Sequence, residues 1–164
     1  MATQVAPWWK GRRGEWYVIG QMTLLALVAL GPRSLGGSPR WSFAGNEVVS
    51  PLSVALLLAG GWLVLGGAMT LGTRLTPLPC PRSGGSLVES GAYRVIRHPI
   101  YGGLILGAFG WGLLCRSWLT LGFAALLSVL LDRKSRREEQ WLLERYPGYA
   151  DYRRRVRRLI PFVY

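Results

Sequence analysis

One stretch of the sequence decides the fold: PIYGGLILGAFGWGLLCRSWLTLGFAALLSVLL, residues 99–131. It is hydrophobic along its 33 residues and is interrupted only by Arg116 and Ser117. A single helix of this length would be about 50 Å long, which is too long for a hydrocarbon layer of ~30 Å. The stretch therefore predicts a hairpin, with one span ending at Cys115, a turn at Arg116 and Ser117, and a second span ending at Leu131.

Two more hydrophobic segments precede this hairpin. The first runs from about Trp16 to Gly31 and contains one polar residue, Gln21. The second runs from Pro51 to Gly72, where Ser50 is suited to cap the helix and Pro51 to its first turn. The sequence thus predicts an all-α integral membrane protein with four transmembrane helices.

The composition supports this class. Half of the 164 residues are hydrophobic, and 20 Lys and Arg stand against eight Asp and Glu, which is far from the balanced charge of a soluble domain. Two distant cysteines and a single histidine predict neither a disulfide framework nor a metal site. Glycines within the spans predict close helix packing; they include Gly60, Gly61, Gly103 and Gly107.

The basic residues indicate how the spans are oriented. The five segments outside the spans carry three, two, four, one and ten Lys or Arg in chain order. Basic residues concentrate on the cytoplasmic side of a membrane, so this alternation predicts that both termini are cytoplasmic. If residues 99–131 formed one span, the tail with its ten basic residues would be exported. The pattern therefore favours four spans in a multi-pass protein.

The tail from Asp132 onward has a helical pattern. Pro147-Gly148 is expected to divide it into two amphipathic helices, and Pro161 to end the second. Apolar and aromatic positions fall near one helical face; they are Leu142, Tyr146, Tyr149 and Val156. We expect the two helices to lie at the cytoplasmic surface, where the arginines attract anionic lipids. Nucleic-acid binding is not expected, because the basic run lies at a membrane edge and has no recognised motif.

Polar residues concentrate in two places near the hairpin. One is LVESGAYRVIRHPIYG, residues 87–102, and the other is the pair Glu138-Glu139. His98 precedes a proline that opens a helix, and a helix N-terminus attracts anions. Taken singly, a histidine at this position is more often an interfacial residue, and paired glutamates in a basic tail more often form surface salt bridges.

Taken together, these segments resemble a known family. The motifs are Arg-His-Pro-x-Tyr-x-Gly at 97–103, Glu-Glu-x-x-Leu at 138–142 and Tyr-Pro-x-Tyr-x-x-Tyr-Arg-x-x-Val-x-x-x-Ile-Pro at 146–161. They resemble the isoprenylcysteine carboxyl methyltransferase family, within a broader group that includes membrane phospholipid N-methyltransferases. The resemblance covers residues 84–163, so within a single membrane domain we expect residues 1–83 to supply the N-terminal spans and 84–164 a methyltransferase-like core.

The resemblance implies methyl transfer from S-adenosylmethionine to a lipophilic acceptor, at the cytoplasmic edge of the membrane. The residues that match the family's cofactor-binding motifs are Leu87, Val88, Tyr93, His98, Pro99, Ile100 and Tyr101, with Glu138 or Glu139. Such a set suits the cofactor, because a glutamate can pair with its ammonium or hydroxyls and tyrosines can pack on its adenine or sulfonium. No G-x-G-x-x-G fingerprint of a soluble nucleotide-binding fold is present after a strand.

Three basic residues are expected to act near the reacting groups: Arg97, Arg133 and Lys134. Arg97 and His98 suit the carboxylate of the cofactor. The family carries an arginine one helical turn before the glutamate, near the acceptor, whereas this sequence has Lys134 at that position with Arg133 beside it. A lysine offers a point charge rather than a two-pronged donor, so the acceptor stays open between an isoprenylcysteine-like carboxylate and a lipid amine.

Two other functions are compatible with the sequence. Membrane sterol reductases use a similar His-Pro-x-Tyr segment to hold NADPH, although they typically carry an asparagine in the histidine motif and a cysteine in the tail. Ile100 and the glutamate pair favour methyl transfer instead. The other alternative is a membrane scaffold whose basic tail binds anionic lipid, with about 1 kcal/mol from each arginine near the surface.

Overall fold

The computed structural model describes residues 14–34, 46–75 and 87–160. Within these ranges the fold is all-helical, apart from one isolated bridge between Ile96 and Arg157. The α-helices are α1 (Glu15–Leu30), α2 (Asn46–Leu71), α3 (Pro99–Leu114), α4 (Trp118–Arg145) and α5 (Tyr149–Arg155). Short 3-10 turns cover Gly72–Arg74 and Gly91–Arg94.

The predicted hairpin break lies where the sequence places it. The chain turns between α3 and α4 at Arg116, which has a positive φ of 51°. Ser117 then caps α4, because its side chain accepts a 3.0 Å hydrogen bond from the backbone N–H of Thr120. The first segment is also confirmed, since α1 begins and ends within one residue of the predicted limits.

The predicted start of the second segment is wrong. Helix α2 begins at Asn46, so Ser50 is inside the helix rather than its cap, and Pro51 is an internal residue. A proline this close to the helix N-terminus removes a single backbone hydrogen bond. Glu47 in the first turn interacts favourably with the helix dipole and extends the helix on the polar side of Pro51.

The predicted break of the tail at Pro147-Gly148 is confirmed, because α4 ends at Arg145 and α5 begins at Tyr149. The prediction that both tail helices are separate from the last span is wrong. The first of them is the continuation of α4, which is one helix of 28 residues. Residues 132–145 contain neither glycine nor proline, so nothing ends the helix until Pro147 follows it. The second, α5, has seven residues and ends at Arg155. Pro161 and both chain termini lie outside the described residues.

The chain leaves α5 early because it pairs with the segment before α3. The N–H of Arg97 donates to the carbonyl of Arg157 at 2.8 Å, and the N–H of His98 donates to the carbonyl of Arg158 at 3.0 Å. Leu159 follows directly and is buried in the main hydrophobic cluster beside Ile105 and Leu127. The C-terminal segment is thereby fixed against the start of α3.

The helices differ in whether their length and hydropathy suit a membrane span. In the described part of the chain, α2 alone is long and apolar enough by length and composition, because residues Glu47–Leu71 contain an 18-residue stretch with a mean hydropathy of 2.1. Large side chains on α2 are exposed, including Leu58, Trp62 and Leu65, as in a lipid-facing helix. Helices α1 and α3 are apolar but have 16 residues each. The number of four spans therefore stays a prediction.

Glycines bring α2 and α3 together. A Cβ at Gly60 would lie 2.6 Å from the carbonyl oxygen of Gly103, and a Cβ at Gly103 would lie 2.5 Å from that of Gly60. Only glycine permits such backbone contact, as predicted for these two positions. Gly61 and Gly107 differ, because nothing lies within 4 Å of the Cβ position at either one.

Candidate functional site

Three parts of the chain meet where α3 begins. The Gly91–Arg94 turn depends on Gly91, whose φ of +57° is strained for any residue with a side chain. Pro99 occupies the first position of α3, which leaves His98 as its N-cap. On the opposite side, α4 extends past its apolar half and presents Lys134 and Glu138, one helical turn apart.

Arg97 joins these parts. Its Nε donates to Oε1 of Glu139 at 2.8 Å, and the two side chains are only 8% and 4% exposed. Its Nη1 donates to the carbonyl of Arg153 at 2.9 Å and to that of Val156. These contacts connect the segment before α3 to α4 and to the C-terminal segment. Arg97 thus acts as a structural tie, and its predicted role toward the cofactor stays a prediction.

His98 lies between the two glutamates. Its Nδ1 is 3.7 Å from Oε2 of Glu138, and its Nε2 is 3.4 Å from Oε1 of Glu139. The imidazole is buried and stacks on the ring of Tyr101, with 5.4 Å between centroids and 2° between planes. Nε2 is buried, and within the described residues it has no hydrogen-bond partner of suitable geometry.

The two adjacent glutamates have different environments. Burial alone would raise the pKa of Glu139, but interactions with His98 and Arg97 outweigh burial and lower the pKa to about 2. Burial raises the pKa of Glu138, although the charge of His98, a hydrogen bond from Tyr101 and the charge of Lys134 oppose the shift. The Tyr101 hydroxyl donates that bond to Oε2 of Glu138 at 3.0 Å. Glu139 is therefore a fixed anion, whereas Glu138 is the glutamate whose charge can respond to a ligand.

Lys134 is buried beside this pair, with 1% of its surface exposed. Its Nζ donates to Oε1 of Gln21 at 2.7 Å and lies 4.9 Å from the centroid of the Tyr101 ring. Burial lowers the pKa of Lys134, and the charge of Glu138 opposes the change. Gln21 belongs to α1 and was missed as a site residue. The signal in the sequence was that it is polar within an apolar segment.

The remaining predicted residues surround this cluster. The carbonyl of Tyr93 accepts a 2.6 Å hydrogen bond from the hydroxyl of Tyr152, which the sequence did not single out as a site residue. Burial raises the pKa of Tyr93, and the charge of Glu138 adds to the shift. Pro99 and Ile100 pack against Gly67.

Leu87 and Val88 are half-buried in the segment that leads to the Gly91–Arg94 turn. Arg133 is exposed and is therefore not one of the buried residues of the cluster. The cluster that the structure does bring together consists of His98, Tyr101, Lys134, Glu138 and Glu139.

The cluster has the chemistry of a polar organic ligand site. Two carboxylates, a buried ammonium and a stacked aromatic pair lie together, and two buried polar atoms, His98 Nε2 and the Tyr149 hydroxyl, have no hydrogen-bond partner within the described residues. Buried polar atoms normally have partners, so these two suit a ligand with its own donors and acceptors. No group of three or more His, Cys, Asp or Glu side chains in residues 14–34, 46–75 and 87–160 could hold a metal ion.

Comparison with protein families places the chain. The family model described as phospholipid methyltransferase matches residues 49–148. The chain belongs to the phospholipid methyltransferase family. The matched region includes most of α2 and all of α3 and α4, and with them His98 and both glutamates. It excludes α1, which provides Gln21.

Relatives of this phospholipid methyltransferase family member carry different names. The chain is 30% identical over 151 residues to the cobalt-zinc-cadmium resistance protein CzcN of Cupriavidus metallidurans, which covers 92% of this chain and 63% of that protein. It is 31% identical over 153 residues to the nickel-cobalt-cadmium resistance protein NccN of Alcaligenes xylosoxydans xylosoxydans, covering 92% of this chain and 64% of that protein.

A steroid 5-alpha-reductase of Gossypium hirsutum is 30% identical over 81 residues, which is 49% of this chain and 31% of that enzyme.

The chain spans less than two thirds of the length of the two resistance proteins, at 63% and 64%. Together with the exposed apolar α2, membership of the family identifies a membrane protein of a methyltransferase family.

Proposed function

We propose that this protein transfers a methyl group from S-adenosylmethionine to a lipophilic acceptor at the cytoplasmic face of the membrane. One observation carries the proposal: His98 and Tyr101 at the start of α3 contact Glu138 and Glu139 on α4, about 40 residues later, inside the region that matches the family. Four spans with both termini cytoplasmic, as the basic residues predict, would place this cluster at that face.

We assign Glu138 rather than Glu139 to the cofactor. Glu139 is occupied by Arg97, whereas Glu138 is 24% exposed and is held by the weaker hydrogen bond of a tyrosine. A carboxylate at Glu138 suits the ammonium or the ribose hydroxyls of the cofactor, and His98 suits its carboxylate. The tyrosine rings suit the adenine or the cationic sulfur.

The remaining task of the protein is to position the acceptor and exclude water. When bound, S-adenosylmethionine supplies a methyl group that is already activated by its sulfonium. An amine acceptor also needs a group that takes its proton. Lys134, whose pKa is lowered by burial, belongs to the cluster and is the residue we assign to the acceptor side.

The chemical class of the acceptor is proposed from the name of the family and from the presence of Lys134 in the cluster. A phospholipid amine agrees with the name of the family, and an isoprenylcysteine-like carboxylate agrees with the motifs of the sequence. Both are membrane-soluble molecules that reach a site between helices from the bilayer. Anionic lipids are proposed as additional partners of the arginines in and after α5.

An NADPH-dependent reductase is the second candidate, because a steroid 5-alpha-reductase is similar over 81 residues. The similarity covers only 31% of that enzyme, so the substrate of the reductase is not assigned to this chain. A scaffold with a lipid-binding tail is the third candidate. A scaffold has no need for the buried convergence of a histidine, a lysine and two glutamates.

The test is a transfer assay with the protein in lipid vesicles. S-adenosylmethionine labelled in the methyl group is supplied with phosphatidylethanolamine or with N-acetyl-S-farnesylcysteine, and label in the extracted lipid is counted. We expect transfer that falls at least about 100-fold in Glu138→Gln, in line with the loss of a charged group that positions a ligand, and stays near wild type in Glu144→Gln. Glu144 is an exposed glutamate on the same helix. Oxidation of NADPH without label transfer would instead identify a reductase.

A further inference from the structure

Helix α5 presents two side chains to the region of Glu139. Tyr149 and Arg153 are four residues apart on this helix, so they lie one turn apart on the same face. The Nε of Arg153 is 3.6 Å from Oε2 of Glu139. Burial raises the pKa of the Tyr149 hydroxyl, and the charge of Glu139 adds to the shift while that of Arg97 opposes it. The hydroxyl therefore lies near the charges of Arg97 and Glu139.

The Tyr149 hydroxyl is a buried donor that has no hydrogen-bond partner within the described residues. Tyr149 is 1% exposed, and its ring meets that of Tyr152 edge-on, with 5.8 Å between centroids. The Tyr152 hydroxyl, by contrast, donates to the carbonyl of Tyr93 at 2.6 Å. A buried hydroxyl without a partner costs free energy. The hydroxyl of Tyr149 therefore suits a ligand that supplies an acceptor.

More positive charge surrounds Glu139 than its single carboxylate balances. Arg97 donates from Nε to Oε1 of Glu139 at 2.8 Å and from Nη1 to two backbone carbonyls. Arg153 is a second guanidinium beside the same carboxylate. Lys134 and Glu138 belong to the same region, so three basic side chains of the described chain lie here with two carboxylates. This surplus suits one further anion.

Arg153 differs from the other arginines of α5. Its side chain is 51% exposed, and its ion pair at 3.6 Å is longer than an N–H···O hydrogen bond. Arg154 pairs instead with Asp151 on the same helix. Arg155 pairs with Glu89, with 2.9 Å between Nη2 and Oε2. Arg153 is therefore the arginine of α5 that can turn from its present contact toward a ligand in the cluster.

We propose that Tyr149 and Arg153 bind the carboxylate of the methyl donor, together with His98. The inference rests on the proposed function and adds α5 to the parts of the chain that hold the cofactor. The Tyr149 hydroxyl donates to the carboxylate, and the Arg153 guanidinium pairs with it. Glu138 takes the ammonium of the same amino-acid group. The cofactor is the source of the anion because it carries both charges on one carbon, and the cluster offers a partner for each.

The test compares S-adenosylhomocysteine with its decarboxylated analogue, which keeps the adenosine and the ammonium and lacks only the carboxylate. Calorimetric titration of the detergent-purified protein measures the Kd of each. In Arg153→Gln and Tyr149→Phe, the Kd of S-adenosylhomocysteine should rise at least about tenfold, because a bond to a charged group is lost. The Kd of the analogue should stay within about twofold. Arg145→Gln is the control, because Arg145 is exposed at the end of α4, and it should leave both values unchanged.

Thermal unfolding without ligand separates binding from folding. Tyr149→Phe removes a hydroxyl that has no partner within the described residues, so the unfolding midpoint should not fall. Tyr152→Phe removes the hydrogen bond to the carbonyl of Tyr93 and should lower the midpoint. Equal falls in the two variants would show that the Tyr149 hydroxyl is bonded within the protein, which contradicts the proposal.

The outcomes distinguish this inference from the proposed function. Wild-type affinity for S-adenosylhomocysteine in either variant overturns the carboxylate site and leaves the proposed function standing. An equal loss of affinity for both ligands also overturns it, because the substitutions then act through the fold. A wild-type protein that binds neither ligand contradicts the proposed function itself.

Discussion

Arg97 and Glu139 form a buried ion pair across 42 residues of sequence, with 2.8 Å between Nε and Oε1. The pair fixes the segment before α3 against α4, and Arg97 also holds the C-terminal segment through two carbonyls. Glu138, next in sequence, faces His98 and Tyr101 instead. The two adjacent glutamates therefore have different roles: Glu139 stabilises the fold, and Glu138 is proposed to bind the cofactor.

The first prediction concerns stability. Glu139→Gln leaves the buried guanidinium of Arg97 without a charged partner, which typically costs about 3–5 kcal/mol. We expect a clear fall in the thermal unfolding midpoint in detergent at neutral pH. Glu144→Gln serves as the control, because Glu144 is exposed. Equal midpoints for the two variants would show that the ion pair does not stabilise the fold.

The second prediction concerns pH. The pKa of Glu139 is lowered from 4.5 to about 2, so its stabilisation is complete above about pH 5. As the pH falls from 4.5 to 2, the unfolded chain binds a proton that the folded chain does not, and about 3 kcal/mol is lost. Unfolding midpoints measured from pH 7 to pH 3 should decline in the wild type. In Glu139→Gln this part of the decline should be absent, and an unchanged pH dependence would contradict the assignment.

The third prediction separates the two roles of Tyr101. Tyr101→Phe removes the hydroxyl that donates to Glu138 but keeps the ring that stacks on His98. A hydrogen bond to a charged group contributes about 1.5–3 kcal/mol, so we expect S-adenosylhomocysteine to bind about ten- to a hundredfold more weakly. Tyr101→Leu also removes the ring and should bind more weakly still. Calorimetric titration measures both, and wild-type affinity in Tyr101→Phe would exclude the hydroxyl from the site.

The fourth prediction concerns Gln21, which lies outside the region matched by the family model. The side-chain oxygen of Gln21 positions the ammonium of Lys134 by accepting its hydrogen bond. Within the described residues, no hydrogen bond joins Gln21 to Glu138 or Glu139. Gln21→Leu should therefore raise the KM of the acceptor about tenfold, as expected for about 1.4 kcal/mol, and leave the Kd of S-adenosylhomocysteine unchanged. It should also alter the pH profile of the reaction, since the environment of Lys134 changes. A purely structural residue would change the unfolding midpoint without either effect.

The fifth prediction concerns helix packing. Gly103→Val would push a side chain into the backbone of Gly60, because even a Cβ added at Gly103 would lie 2.5 Å from the carbonyl oxygen of Gly60. Overpacking of this kind costs about 1–3 kcal/mol, and more where backbone must move. Gly122→Val, whose Cβ position is open, is the control for the valine itself. The yield of folded protein and the unfolding midpoint should fall in Gly103→Val alone.

Local signals in the sequence were sufficient for part of the fold. The polar pair Arg116 and Ser117 inside a long apolar run marks the turn between α3 and α4, because a helix of 33 residues does not fit a bilayer. Pro99 marks the start of α3 because proline suits the first helical position. The start of α2 was mispredicted because one proline near a helix N-terminus is less disruptive than a strict boundary rule assumes.

Long-range contacts explain what the sequence left open. The contact between His98 and the glutamates followed from the resemblance of two separated motifs, whereas no periodicity encodes the Arg97–Glu139 pair. Gln21 could be noticed as a polar residue in a span, but its partner Lys134 is 113 residues away. The exposure of Arg133 depends on the rotation of α4, which is set by packing against α1 and α3 rather than by the local sequence.

The most direct test of the central claim is calorimetric titration of the detergent-purified protein with S-adenosylhomocysteine, with NADPH titrated in parallel. We predict micromolar binding of S-adenosylhomocysteine, about −8 kcal/mol. It should be lost in His98→Ala and Glu138→Ala and retained in Glu144→Gln. NADPH should not bind. Binding of NADPH in place of S-adenosylhomocysteine, or of neither ligand, would contradict the proposal that the cluster at the start of α3 holds a methyl donor.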